Sequence, residues 1–346
     1  MAEYTAVLQR AWDKKWITNR GELVKELEEK LKGFLNVPNI IITNNGTVPL
    51  QIAIKALQLK GEIITTPFSY VATTSSIVWE NCQPVFVDID PTHLTINEKL
   101  IEAAITPATS AILATHVFGN PCEVNVIESI AKKHNLKVIY DGAHCFGVTY
   151  NNQSVFNYGD VSTCSFHATK LFHTAEGGAM FTSSQELNNT LFYHHNFGHK
   201  GPEAFQGIGI NGKISEVNAA VGLSVFPYIS KIMESRKEAV KYYLELLGDS
   251  GLQFLEIRKN TEWNYSYFPV IFNSETQLLK VVELLKEAGI FPRRYFYPSL
   301  SSLPYVRKQA TPIADSIASR VLCLPLFHEL TKEEIQQIVQ LVKKAI

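Results

Sequence analysis

Residues 40–59, IIITNNGTVPLQIAIKALQL, decide the fold because they combine a short strand, a glycine turn and a helix. The β-branched run at residues 40–43 predicts a strand, and Pro49 suits the first turn of a helix predicted at residues 49–59. Further strands, each followed by a helical segment or a glycine turn, are predicted at EIITTP (62–67), PVFVDID (84–90), SAILATHVFG (110–119) and KVIYDGAHCFG (137–147). Strands that are apolar throughout are buried on both faces, and intervening helices indicate parallel β-α-β units. The sequence therefore predicts an α/β fold with helices on both faces of the sheet.

The segments around these units are less regular. Leucines at helical spacing in residues 21–33 predict a helix that ends at Gly33. Residues 161–183 predict two more strands that flank a glycine-containing loop. Residues 194–212 are rich in Gly, His and Asn without periodicity, which predicts a long functional loop.

The C-terminal third has a different pattern. A long amphipathic helix is predicted at residues 229–247, and the strands and helices that follow it indicate an α+β unit. We therefore expect a large domain with a mostly parallel sheet at residues 1–232 and a smaller α+β domain at residues 233–346.

Composition excludes several classes of protein. The 346 residues include 32 Lys and Arg against 33 Asp and Glu, and no basic stripe of a nucleic-acid binder is visible. No stretch approaches the roughly 20 apolar residues of a membrane helix. The five cysteines are scattered without a C-x-x-C pair, which argues against disulfides or a zinc site and for a reducing compartment. We expect a cytoplasmic, soluble protein with neither nucleic acid nor membrane as a partner.

One motif is misleading. Gly207, Gly209 and Gly212 match the G-x-G-x-x-G pattern of dinucleotide-binding folds. That pattern works only between a strand and a helix, and the preceding HKGPEAFQ (199–206) does not predict a strand. We interpret these glycines as part of a loop.

Two turns carry groups suited to a charged ligand. Gly46 permits close backbone approach, and the N–H groups of Thr47 and Val48 at a helix N-terminus suit a phosphate. The alternative is an ordinary helix start with Thr47 as the N-cap. Asp141 ends a predicted strand, where open α/β sheets bind ligands, and its carboxylate suits a protonated ring nitrogen. The alternative for Asp141 is a helix or turn cap.

Lys170 lies in a largely apolar, glycine-bounded loop, SFHATKLFHTAEGG (165–178). Burial lowers the pKa of a lysine and produces an amine suited to Schiff-base chemistry, although most lysines are simply solvated charges. A phosphate turn, an aromatic segment (FSYVAT, 68–73), a strand-end Asp and a loop Lys form the set that pyridoxal phosphate needs. The order of these features therefore favours an enzyme that depends on this cofactor.

Six segments resemble successive blocks of the DegT/DnrJ/StrS family of pyridoxal phosphate-dependent nucleotide-sugar aminotransferases. They are NNGTVPLQIAIKAL (44–57), TPFSYVAT (66–73), PVFVDID (84–90), THVFGNP (115–121), VIYDGAHCFG (138–147) and SFHATKLFHTAEGG (165–178). The resemblance extends from about residue 21 to the last helix. It implies the type I aminotransferase fold and a homodimer with active sites at the subunit interface.

The resemblance also implies roles for residues around the cofactor ring. Lys170 would bond to the cofactor aldehyde and move the proton, and Asp141 would pair with the pyridinium nitrogen. His144, where the family more often has Gln, would contact the 3-hydroxyl of the cofactor. Tyr70 would stack on the ring, in SYVAT where the family commonly has TFVAT.

The phosphate is implied to have ligands from both subunits. Thr47 and Val48 with Ser165 would hold it in one subunit, and Asn211 would reach across the dimer to the phosphate of the partner. The family often has an aromatic residue and an Arg after that Asn. Residues 212 and 213 are Gly and Lys here, so the neighbouring substrate contacts differ.

The substrate is implied by a subgroup of the family. HATKLFHTAEGG (167–178), GINGK (209–213) and RRYFYPSLS (293–301) are most similar to enzymes that aminate C4 of dTDP-4-keto-6-deoxyglucose with L-glutamate. The chain lacks the Pro-Gly-Lys-Asn motif usual in the 3-keto-sugar subgroup, and Lys170 argues against sugar dehydratases that have His there. Another keto position, a lyase or dehydratase, or a non-catalytic regulator are the alternatives. The pathway, whether O-antigen and lipopolysaccharide, another glycan or a secondary metabolite, is open.

Substrate contacts are assigned from position alone. His173 and Glu176 would face the sugar ring. The diphosphate would meet the loop residues His195 and Lys200, with His194 and His199, or Arg293 with Arg294 and Tyr295. The alternative is that these are solvated surface charges.

Overall fold

The computed structural model describes all 346 residues. The α-helices, α1 to α12 in chain order, are Ala2–Asp13, Glu22–Leu35, Val48–Ala56, Val71–Trp79, Glu98–Ile101, Val124–His134, Gln185–His195, Glu216–Val225, Ile229–Leu247, Glu275–Glu287, Pro312–Arg320 and Lys332–Lys343. The strands, β1 to β13, are Ile40–Thr43, Glu62–Thr65, Gln83–Phe86, Thr109–Thr115, Lys137–Asp141, Thr149–Tyr150, Gln153–Ser154, Val161–Ser165, Gly178–Phe181, Gln253–Phe254, Thr261–Glu262, Phe268–Ile271 and Val321–Leu324.

A seven-stranded sheet in the order β1-β9-β8-β5-β4-β2-β3 forms the centre of the fold. Strands β3, β2, β4, β5 and β8 pair in parallel, and β9 pairs antiparallel with both β8 and β1. The predicted α/β fold with a mostly parallel sheet is confirmed. A second sheet, β10-β12-β13, is antiparallel and belongs to the C-terminal third, and β11 pairs with the short hairpin β6-β7.

Local boundaries differ from the predictions in several places; helix α3, for example, ends at Ala56 and not at residue 59. Helix α2 does not end at Gly33; it continues to Leu35, and Asn36 takes the left-handed C-cap conformation at φ 49°. The predicted loop begins later than residue 194, because α7 extends through His195. Helix α1, which lies before the first predicted helix at residues 21–33, is not predicted from the sequence.

The apolar core is layered around the large sheet. Leu27 of α2, Ile127 of α6 and Ala219 of α8 pack in one cluster with residues of the sheet. Ile52 of α3 and Ile63 of β2 belong to a second cluster. Because apolar helix faces cover the sheet, its polar carboxyl edge is left as the place for a ligand.

The C-terminal core is formed mainly by α9, α10, α12 and the β10-β12-β13 sheet. A further cluster joins Phe68 and Phe118 from the first part of the chain to Phe296 and Val321. Residue 232 lies inside the continuous helix α9, and the domain division there stays a prediction.

Two other features of the chain are plain. The helices are all too short or too polar to cross a bilayer. All five cysteines are buried and unpaired, so no disulfide contributes to the fold.

Candidate active site

A cleft of about 270 Å³ lies at the carboxyl edge of the large sheet. The ends of β5 and β8 and the N-termini of α3 and α4 meet there, since these helices follow strands that run in the same direction. Residues 293–296 of the C-terminal third close one side. The predicted site residues that line the cleft are Thr47, Tyr70, Asp141, His144, Ser165, Lys170, Glu176, Arg293 and Tyr295.

Asp141 is 6% exposed, at the end of β5. Its Oδ2 accepts a 2.7 Å hydrogen bond from the Thr73 hydroxyl, and its Oδ1 accepts one of 3.1 Å from the Ala143 N–H. Burial raises the pKa of this carboxyl, whereas the two hydrogen bonds and the charge of Lys170 oppose the rise. The contacts fix the orientation of the carboxyl group in the cleft.

Three buried hydroxyls extend behind Asp141. Thr73 Oγ1 lies 2.7 Å from Ser69 Oγ, which lies 3.1 Å from Thr115 Oγ1. Each hydroxyl has one hydrogen, and that of Thr73 is directed at the carboxylate. Ser69 therefore donates to Thr73, and Thr115 donates to Ser69. From this segment the sequence indicates Tyr70 but not Thr73, because a threonine inside a helix gives no distinctive signal of a functional role.

His144 is held in one tautomer. Its Nδ1 accepts a 3.0 Å hydrogen bond from the Phe118 N–H, so the ring hydrogen is on Nε2. Burial lowers the pKa of the imidazole well below 6.5, which keeps it neutral. The ring stacks on Phe296 with centroids 5.5 Å apart and planes 2° from parallel. His144 can therefore act as a rigid hydrogen-bond donor from Nε2.

Lys170 follows β8, in the loop between β8 and β9. Its Nζ lies 3.3 Å from the hydroxyl of Tyr267. Burial lowers the pKa of the amine below 10.5, opposed by nearby groups that include Tyr295 and Asp141. A larger fraction of neutral, nucleophilic amine follows. Tyr267 is a residue that sequence reasoning missed, since 97 positions separate it from Lys170.

The glycine turn before α3 packs tightly against β8. A Cβ on Gly46 would lie 2.6 Å from Ser165 Cβ, so only glycine fits this turn without displacement. The N–H groups of Thr47 and Val48 donate to Asn45 Oδ1, each at 2.9 Å. A phosphate would reach these two N–H groups only if the Asn45 amide turned away. The hydroxyls of Thr47 and Ser165 make no such bond to Asn45.

Asn211 lies beside the same turn of its own chain, outside the lining of the cleft. Its backbone carbonyl accepts from Asn44 Nδ2 at 3.2 Å, and its side-chain oxygen accepts from Lys213 Nζ at 2.7 Å. A contact between Asn211 and a partner subunit stays a prediction.

Three other predicted substrate residues also lie outside the cleft lining. His195 is buried in α7, where burial lowers its pKa to about 4, and it lines a separate hollow with Arg20 and Lys213. Lys200 is exposed in the long loop. His173 is half-buried, and burial lowers its pKa. The substrate roles of these residues stay predictions.

The groups in the cleft fit pyridoxal phosphate. Asp141 offers a buried carboxylate to the pyridinium nitrogen of the cofactor, and His144 offers an N–H to its 3-hydroxyl oxygen. Lys170 offers an amine to the aldehyde, and Gly46, Thr47 and Ser165 line the same cleft and are available to the phosphate. The Tyr70 side chain is 56% exposed, which leaves its ring face free for stacking.

Comparisons with known proteins agree with this fit. Residues 1–343 match the model of the DegT/DnrJ/EryC1/StrS aminotransferase family. The chain is 42% identical to dTDP-4-amino-4,6-dideoxy-D-glucose transaminase of Shigella dysenteriae, over 99% of this chain and 96% of that one. The protein of the same name from Escherichia coli is 40% identical, over 99% and 95%. Among solved structures, DesI in the presence of its TDP-sugar product superposes with a TM-score of 0.94 at 32% identity, covering 99% of this chain and 89% of that one.

Proposed function

Because the chain belongs to the DegT/DnrJ/EryC1/StrS aminotransferase family and is a pyridoxal phosphate-dependent sugar aminotransferase, we propose that it aminates C4 of dTDP-4-keto-6-deoxy-D-glucose. L-Glutamate is the proposed amino donor, and the product is the 4-amino-4,6-dideoxy sugar nucleotide. The observation that carries the proposal is Lys170 and Asp141 in one cleft, in a chain over 40% identical to a transaminase named for this product.

The bound cofactor supplies an electrophilic aldehyde and a ring that accepts the electron pair left when a proton leaves the donor's α-carbon. Asp141 holds the proton of the ring nitrogen, and Thr73 and the Ala143 N–H hold Asp141 in place. Lys170 Nζ removes the α-carbon proton of L-glutamate and, in the second half of the reaction, delivers a proton to C4 of the sugar. His144 Nε2 would donate a hydrogen bond to the 3-hydroxyl oxygen of the cofactor.

We propose in addition a cytoplasmic homodimer that shares its active sites. Support for the dimer comes from the loop after α7, where Phe205 and Ile208 are 66% and 72% exposed. Apolar side chains exposed together in this way mark contact surfaces. The same loop bonds to the phosphate turn through Asn211 and Asn44, so a subunit that covered it would border the active site. O-antigen or lipopolysaccharide biosynthesis is the proposed destination of the amino sugar.

The test is a substrate panel with purified protein, pyridoxal phosphate and L-glutamate. We expect dTDP-4-keto-6-deoxy-D-glucose to give a dTDP-4-amino sugar, identified by mass and NMR, with equimolar 2-oxoglutarate. A 3-keto sugar nucleotide serves as the comparison and should react poorly. Amination of the 3-keto sugar alone, or loss of water without amination, would overturn the proposal in favour of another keto position or a dehydratase.

A further inference from the structure

A second cavity of about 230 Å³ adjoins the cleft. Thr169 and Arg293 line both spaces, and Tyr267, which lines the second, is hydrogen-bonded to Lys170. Arg236 of helix α9 also lines it, and no acidic side chain does. The cavity therefore opens beside the reactive lysine and is lined by two guanidinium groups.

Arg236 has no carboxylate partner. Its Nε donates to the Tyr265 carbonyl at 2.9 Å and its Nη2 donates to the Ser266 carbonyl, whereas its Nη1 has no partner in the chain. No carboxylate lies within ion-pair distance, and burial lowers the pKa of the guanidinium to about 10. Arg236 is half-buried, and a partly desolvated cation without a counter-ion would bind an anion that reached it favourably.

Arg293 also has no carboxylate within ion-pair distance, although it lines the cleft that Asp141 and Glu176 line. Its Nη1 donates to the hydroxyl of Tyr295 at 2.7 Å, and the neighbouring groups that raise its pKa are Tyr295, Tyr267 and Cys323. The next residue, Arg294, differs because it pairs with Glu275 at 2.7 Å. Arg236 and Arg293 thus give this cavity an excess of positive charge that no carboxylate in its lining neutralises.

We propose that the second cavity binds a carboxylate of the amino donor, a dicarboxylic amino acid, through Arg236 and Arg293. This inference rests on the proposed function, which requires such a donor at Lys170. The planar fork of a guanidinium matches a carboxylate with two hydrogen bonds. A cavity of about 230 Å³ admits a short acidic chain.

The probe is glutarate, a dicarboxylate that has no amino group and therefore cannot react. Calorimetry on the cofactor-loaded protein should show binding that Arg236→Gln and Arg293→Gln each weaken by about 10- to 100-fold, the loss typical of a hydrogen bond to a charged group. Lys237→Gln is the matched control, because Lys237 follows Arg236 on the same helix but pairs with Glu234. Unchanged glutarate affinity in both arginine variants, or displacement of glutarate by dTDP, would overturn the proposal.

Loss of folding in the arginine variants needs its own control. Arg236 holds two backbone carbonyls, so its variant needs a melting curve, and Arg236→Lys should keep more glutarate affinity than Arg236→Gln if charge is what matters. The side chain of Arg293 bonds only to a hydroxyl, and Arg293→Gln tests the site even if the Arg236 variants unfold. Arginine-dependent glutarate binding without amination of the keto sugar would refute the proposed function alone. Amination with arginine-independent glutarate binding would refute this inference alone.

Discussion

The hydroxyl of Thr73 donates a 2.7 Å hydrogen bond to the carboxylate of Asp141, although 68 positions separate the two residues. This bond lowers the pKa of a carboxyl group that burial raises. Thr73→Val should therefore favour the neutral acid and weaken cofactor binding and turnover by about 10-fold or more, as for a lost hydrogen bond to a charged group. A pyridoxal phosphate titration and steady-state rates measure the effect.

Thr73→Ser is the matched control, since it keeps the hydroxyl and loses one methyl group. It should retain most of the cofactor affinity and turnover. If Thr73→Val and Thr73→Ser behaved alike, the hydroxyl would have no role in positioning Asp141.

His144 should tolerate replacement by Gln but not by Leu. The Gln amide can accept from the Phe118 N–H and donate to the 3-hydroxyl oxygen of the cofactor, as His144 can in the tautomer that its hydrogen bond indicates. We expect His144→Gln to stay within about 10-fold of the parent turnover and His144→Leu to lose more, because Leu leaves the buried N–H unpaired. Turnover and melting temperature of both variants decide this, and equal losses would contradict it.

The turn at Gly46 should resist even one added methyl group. Gly46→Ala places Cβ 2.6 Å from Ser165 Cβ, and overpacking of this kind costs about 1–3 kcal/mol of unfolding free energy. Ser165→Gly in the same chain should recover part of the stability. Gly33→Ala is the control, because its Cβ meets nothing within 4 Å inside helix α2 and should be neutral or stabilising. Denaturant unfolding without cofactor is the measurement; equal effects of the two alanine variants would refute the packing argument.

The capture of pyridoxal phosphate by Lys170 should depend on pH in a defined direction. Burial lowers the pKa of the amine below 10.5, and the neutral amine is the form that attacks an aldehyde. The capture rate of the cofactor-free protein should rise with pH and level off below pH 10.5. Stopped-flow absorbance measures it, with Nα-acetyl-lysine as the unburied reference. A plateau no earlier than that of the reference would contradict the lowered pKa.

Much of the fold could be predicted because its signals are local. Short apolar strands such as β1 and β5 and the helices after them are recognisable from about ten residues each. Strand β9 was predicted as a strand, but its antiparallel place between β1 and β8 depends on pairing with residues about 140 positions away. The C-cap at Asn36 was missed because Asn and Gly both suit the left-handed position.

The site was predictable where chemistry is concentrated in one side chain. Lys170 and Asp141 belong to that group, and both line the cleft. Asn45 and Tyr267 have no such signal: the first is an ordinary turn residue, and the second reaches Lys170 only through tertiary packing. Loop position alone was a weaker guide for His195, which is buried in α7.

The absorption spectrum of the purified protein with pyridoxal phosphate, before and after L-glutamate, tests the central claim most directly. We predict a visible band that Lys170→Ala lacks, that L-glutamate removes, and that dTDP-4-keto-6-deoxy-D-glucose restores. Absence of the band in the parent protein would contradict the assignment of Lys170 and the cofactor. A band that is insensitive to L-glutamate would contradict the amino donor and favour lyase chemistry in the same cleft.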